Sequence, residues 1–264
     1  MRTKLTFLIS LWGLLMWSTS VVVAQTSKPD SNFHIYLLMG QSNMAGRGQL
    51  SEKYKAIHND RVKVLSKDFN WITAHHPLHY EKPAVDGVGP GLSFGIAMAK
   101  RHPGIIIGLV PCAIGGSPIE HWVPGAFDPP TKTYPWDDAA KKIAYAMKTG
   151  VIKGVIWHQG ESDSHPELAA VYLKNLQALI KRIREVTGDN NLPFIAGELG
   201  RFYKENSTIN AQLQKLQSLV PFTAVVSSEG LVHKGDTLHF DSRSADKLGK
   251  RYAKKMREVQ SASN

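Results

Sequence analysis

The sequence carries a single cysteine, Cys112, in 264 residues. That excludes an intramolecular disulfide framework, so the core must be held by packing alone. A chain of this length can bury such a core within one α/β domain. Low-complexity tracts, internal repeats and a linker long enough to divide two domains are also missing. With 42% hydrophobic and 20% charged residues, the composition is that of a globular protein. No apolar run is long enough for a comfortable membrane span. The longest, Leu5 to Trp17, follows Arg2 and Lys4 and leads into small residues ending VVVAQ. This pattern predicts a signal peptide over residues 1–24, a single mature domain over 25–264, and a secreted or periplasmic protein with no stable membrane insertion after cleavage. Acidic residues are in short supply, 22 against 32 Lys and Arg, for a formal charge of +10. The excess is dispersed, and part of it falls in the tail DKLGKRYAKKMRE, read as the solvated face of a helix. Dispersed charge excludes a nucleic-acid groove and leaves only a long-range attraction to acidic polymers.

What the sequence does contain is alternation. HIYLLMG, RVKVL, GIIIGLVP, GVIWHQG, PFIAGEL and FTAVVS read as short buried strands. Between them Leu92, Ile96 and Ala99, then Ile143, Ala144 and Met147, then Leu173, Leu176, Ile180 and Ile183 repeat with helical spacing. Residues 206–219 read as one further helix, and residues 50–91 as an irregular excursion around one short strand. Strands alternating with helices imply an α/β protein with a mainly parallel sheet. In such sheets ligands bind beyond the carboxyl ends of the strands. Gln41 and Ser42, Gly115 and Gly116, Gln159 and Glu161, and Asp236 and His239 all fall on that edge.

The chemistry of these clusters is specific. Ser42, in GQSNMAG, follows a strand and a glycine, a setting that exposes a nucleophile, although Ser and Asn are equally ordinary helix caps. It is not a G-x-S-x-G elbow, because Met44 stands at the second glycine position. In GDTLHFD, Asp236 precedes His239 by three residues and can orient the imidazole as a base; Asp241 is a second nearby carboxylate that also resembles a helix cap. Donors for a tetrahedral oxyanion are available from the Ser42 and Gly116 N–H groups and the Gln159 side chain. Glu161 has three readings: a loop brace, an alternative acid partner for His239, or a metal ligand. His158, Glu161, Asp163 and His165 crowd together, but their spacing matches no helical zinc motif, and no metal is assigned.

Taken in order, GQSNMAG, GGSPIEHW, WHQGESD and DTLHF resemble carbohydrate esterase family 6 and the related sialate O-acetylesterase domain of the SGNH hydrolase superfamily. The resemblance covers about Phe33 to Arg251. It implies a three-layer α/β/α, flavodoxin-like fold and cofactor-free ester hydrolysis through a triad of Ser42, Asp236 and His239. Ser42, Gly116 and Gln159 would form the oxyanion hole, Gln159 standing where the wider superfamily has Asn. Gln41, Asn43, Gly115 and Glu161, in the same motifs, are expected to support the site.

The expected partner is an acetylated poly- or oligosaccharide, with acetyl-xylan the first substrate and O-acetylated sialic acid the alternative. A non-catalytic carbohydrate-binding protein is the reading from another class, and a metal-dependent hydrolase a third. Arg47, His121 and Trp122 are candidates for contacting the sugar, Trp122 as a flat apolar face together with Trp71, Tyr80 and Trp136. His75, His76 and His79 belong either to the rim of the site or to a plain polar loop. Cys112, directly after an apolar run, is read as a small buried hydrophobe.

Overall fold

The computed structural model describes residues 28–262; the expected signal peptide lies outside the described residues. Seven strands form one sheet: β1 (Asp30–Gly40), β2 (Val62–Leu65), β3 (Trp71–Thr73), β4 (Ile106–Pro111), β5 (Gly150–His158), β6 (Phe194–Gly197) and β7 (Thr223–Val226), in the order β3-β2-β4-β1-β5-β6-β7. All neighbouring pairs are parallel except β2 with β3.

β1 is central, and its side chains alternate between two cores as the period of two requires. Ile35, Leu37 and Met39 face one apolar cluster, and Tyr36 and Leu38 the other. The first cluster is covered by α4 (Pro135–Ala146), α5 (Pro166–Thr187) and α6 (Asn206–Gln214), through Trp136 and Ile143, Tyr172, Leu176 and Ile180, and Ile209 and Leu213. The second is covered by α3 (Gly91–Arg101) and α8 (Ser242–Ser261), through Leu92, Phe94 and Met98, and Leu248, Tyr252 and Met256. Each fully buried Leu or Ile in these layers is worth about 1.5–3 kcal/mol. The basic tail is therefore the outer face of α8, whose inner face closes the second core. Cys112 is buried in the first core, where desolvation pushes its thiol up to about 11.

Two expectations are corrected. The excursion holds a short helix, α2 (Glu52–Lys55), and β3 besides β2; β3 is a three-residue edge strand too short to carry a period of its own. Residues 206–219 form two helices, α6 and α7 (Leu216–Leu219), separated at Lys215.

The connection from β1 leads to one side of the sheet, towards β2, while that from β4 crosses β1 and leads to the other side, towards β5. Diverging connections open a crevice between the carboxyl ends of β1 and β4.

Candidate active site

At that crevice lies a cleft of about 440 Å³. Its wall takes Gln41 and Ser42 from the chain just after β1, Gly115 and Gly116 from the loop after β4, Glu161 and Ser162 from that after β5, Tyr203 from that after β6, and Leu238 and His239 from beyond β7. Arg47, Lys82 and Val85 complete it.

Gly40 directs the chain into the cleft. Its φ of +129° is open to glycine, and a Cβ there would lie 2.1 Å from the His158 carbonyl oxygen. So close an approach lets Gln41 N–H donate to that carbonyl (2.9 Å) while the Gly40 carbonyl accepts from Ile114 N–H (2.9 Å). Ser42 then starts α1 (Ser42–Ala45), a single turn.

The Ser42 Oγ is 3.0 Å from His239 Nε2, and His239 Nδ1 is 2.7 Å from Asp236 Oδ2. Asp236 Oδ1 accepts from the backbone N–H groups of Leu238 (3.0 Å) and His239 (2.8 Å). Burial alone would raise the Asp236 carboxyl. The backbone N–H groups and the imidazole outweigh it and hold the group well below the usual carboxylate range. For His239, burial lowers the imidazole below 6.5, and Asp236 opposes the shift. A neutral imidazole hydrogen-bonded to a hydroxyl is an oriented base. Asp241, the other carboxylate, caps α8 by accepting from Ser244 N–H (2.6 Å).

Gly116 lies in the cleft wall at φ +93°, and its N–H has no acceptor among the described residues. The Gly115 N–H, by contrast, donates to Glu81 Oε1 (3.3 Å). The Ser42 N–H, at the start of α1, is likewise without an acceptor among the described residues. Gln159 is not brought to the cleft. It is fully buried, and its Nε2 donates to the Ser117 carbonyl (3.2 Å) and to Asp163. Turning the amide over would set its oxygen against two acceptors. The oxyanion contribution expected of Gln159 is therefore not available in this geometry.

Asn43 Nδ2 donates to Glu161 Oε1 (2.6 Å) and to the Leu238 carbonyl (3.1 Å), and Asn43 Oδ1 accepts from Phe240 N–H (3.0 Å). Glu161 thus braces Asn43 and forms no bond to His239, whose Nδ1 is held by Asp236. The other residues that crowd around Glu161 in sequence separate: His158 bonds to the Tyr252 hydroxyl (3.1 Å), Asp163 accepts from Ile119 N–H (3.1 Å), and His165 precedes α5. Among the described residues no three His, Cys, Asp or Glu side chains are grouped to hold a metal ion.

The expected sugar contacts are redistributed. Trp122 is fully buried, edge-on to Trp157 at 5.2 Å, with its indole N–H donating to Ser117 Oγ (3.2 Å), so it presents no face to a sugar. His121 bonds to the buried Asp128 (2.9 Å) and does not line the cleft. Arg47 lines it, but its guanidinium is committed to Glu81 (2.9 Å), Asp86 (3.0 Å) and the Gly46 carbonyl (2.8 Å). Trp71, Tyr80 and Trp136 lie elsewhere, Trp136 beneath the Arg182 guanidinium at 5.2 Å and Tyr80 beneath the Lys142 ammonium at 4.9 Å. His76 and His79 are buried away from the cleft, where desolvation lowers their imidazoles to about 4 and about 3. Lys82, whose Nζ donates to the Gly115 carbonyl (2.6 Å), and Tyr203 are cleft residues that the sequence patterns did not single out. Tyr203 follows β6 on the same sheet edge as the rest, the one signal that pointed to it. Lys82 lies in an excursion without periodicity.

The doubly wound sheet, with Ser42, His239 and Asp236 converging at its carboxyl edge, has the fold of the SGNH-type hydrolases. Residues 32–258 match the family model described as carbohydrate esterase, sialic acid-specific acetylesterase. The chain is 35% identical over 242 residues to a probable carbohydrate esterase of Arabidopsis thaliana, covering 81% of this chain and 86% of that protein. The crystal structure of the Arabidopsis protein superposes with a TM-score of 0.76 at 31% identity, over 85% of this chain and 98% of that one. NanS shares the fold at a TM-score of 0.72 and 18% identity, over 89% and 99% of the two chains. A carbohydrate acetylesterase from Xanthomonas citri shares it at 0.65 and 22%, over 86% of this chain and 56% of that one. The chain belongs to the carbohydrate esterase family of sialic acid-specific acetylesterases.

Proposed function

We propose that this protein is a secreted serine esterase that removes O-acetyl groups from carbohydrate, with acetyl-xylan as substrate. The observation that carries the reading is the unbroken line from Asp236 through His239 to Ser42, with hydrogen bonds of 2.7 and 3.0 Å. In this reading Ser42 Oγ attacks the acetyl carbonyl carbon as His239 Nε2 takes its proton. The N–H groups of Ser42 and Gly116 receive the oxyanion. The bond to the sugar oxygen then breaks, that oxygen takes the proton from His239, and an acetyl-Ser42 ester remains. Water, deprotonated by the same imidazole, releases acetate and restores the serine. Asp236, held ionised, stabilises the imidazolium formed in both steps.

Export follows from the residues expected to form a signal peptide. O-Acetylated sialic acid is the second reading, favoured by the description of the matched family. Acetate release from acetyl-xylan and from O-acetylated sialic acid, by wild type and Ser42→Ala, tests both. Faster release from acetyl-xylan supports the first reading and faster release from the sialic acid the second. Glycan binding without any acetate release would replace both with a non-catalytic binding protein.

A further inference from the structure

We propose that Glu161, acting through the Asn43 amide, sets the position of the His239 imidazole over Ser42. It is a positioning residue rather than a catalytic one, and the inference rests on the esterase reading above.

Asn43 grips the chain on both sides of His239, through the carbonyl of Leu238 (3.1 Å) and the N–H of Phe240 (3.0 Å). Because Asn43 directly follows Ser42 in the single turn of α1, one amide gauges the spacing between the serine and the imidazole. That gauge works in only one sense. With the amide reversed, its oxygen would meet the Leu238 carbonyl and its nitrogen the Phe240 N–H, two contacts between like groups. Glu161 Oε1, 2.6 Å from Asn43 Nδ2, accepts the second amide hydrogen and makes the reversed sense costly at a third point.

Glu161 suits this task because of where it sits. It is buried, and its Oε2 has no partner among the described residues. Desolvation pushes its carboxyl up to about 7, against the Asn43 bond and with a smaller push from Asp163. The neutral acid still accepts at Oε1, so a glutamine preserves the contact while a leucine removes it.

Steady-state hydrolysis of 4-nitrophenyl acetate by Glu161→Gln, Glu161→Leu, Asn43→Ala and the double variant Asn43→Ala/Glu161→Leu provides the test. Without the Glu161 acceptor the Asn43 amide is held less firmly and the imidazole can drift by a fraction of an ångström, so kcat of Glu161→Leu is expected to fall about 10-fold or more with KM within about 3-fold. Glu161→Gln should keep kcat within about 3-fold of wild type, and the double variant should be no slower than Asn43→Ala alone, since the two residues act as one unit. Wild-type kcat in Glu161→Leu, a Glu161→Gln as slow as Glu161→Leu, or independent losses that multiply would each overturn the proposal. If Glu161→Leu does not fold, Glu161→Ala, which also removes the acceptor, takes its place: a kcat lowered about 10-fold or more beside an active Glu161→Gln supports the proposal, and a wild-type kcat in Glu161→Ala or in Asn43→Ala overturns it. Ser42→Ala separates the two levels. Activity remaining there brings down the esterase reading itself, whereas an inert Ser42→Ala beside a fully active Glu161→Leu brings down only this inference.

Discussion

Replacing Gly40 by Ala perturbs the point on which the cleft depends. The new Cβ would stand 2.1 Å from the His158 carbonyl oxygen, at a φ of +129°. Ordinary contact needs about 3.5 Å, so β1 and β5 must part by about 1 Å or more. The backbone strain costs about 1–3 kcal/mol. Weakening the hydrogen bond from Gln41 N–H to His158 adds about 1 kcal/mol. A total of roughly 2–4 kcal/mol lowers Tm by about 5–15 °C in a chain of this size. The displacement falls next to Ser42, and a misplacement of about 1 Å costs on the order of 10²-fold in kcat. Thermal melts and kcat on 4-nitrophenyl acetate measure both effects. Gly104→Ala is the control: it also has a positive φ, but its Cβ would meet nothing within 4 Å. A Gly40→Ala protein that melts no lower than Gly104→Ala and keeps kcat within about two-fold of wild type would refute the reasoning.

Asp236→Asn is expected to cost about 10⁴-fold in kcat, because the imidazolium loses its counter-charge and its tautomer is no longer held. With the neutral His239 imidazole as the proposed base and its pKa lowered by burial, kcat/KM of the wild type should rise with pH through an apparent pKa below 6.5 and then level off. Asp236→Asn removes the charge that favours the imidazolium, which moves this limb to lower pH; a limb that stays in place in a pH–rate profile contradicts the assignment. Trp122→Ala should lower stability by about 3–5 kcal/mol with KM nearly unchanged, as expected of a core residue. A raised KM with an unaltered melt would instead make Trp122 a sugar platform.

Much of this site was legible because its parts end strands. The apolar run before Gly40 and the runs before Gly115, Gln159 and Asp236 identified one sheet edge, and the cleft lies there. The pairing of Asp236 with His239 was legible from a spacing of three residues. Longer reaches were not. Asn43 contacts Glu161 and Leu238, 118 and 195 residues away, and no local pattern distinguishes such a clamp from a helix cap. Gln159 shares the correct edge with Ser42, but the direction of its amide depends on Asp163 and Ser117, which only the packed loops bring together. Trp122 follows a site loop in sequence, yet the apolar layer over β5 claims the indole. β3 escaped because three residues paired to an edge need no pattern of their own.

The central claim is that Ser42 is a nucleophile activated by His239. Treatment of the wild-type protein with a fluorophosphonate, followed by peptide mass mapping, tests it most directly. The account predicts one adduct, on the peptide containing Ser42, forming in step with loss of esterase activity and suppressed in His239→Ala. Loss of activity with the adduct on another residue, or full esterase activity with Ser42 quantitatively labelled, would contradict it.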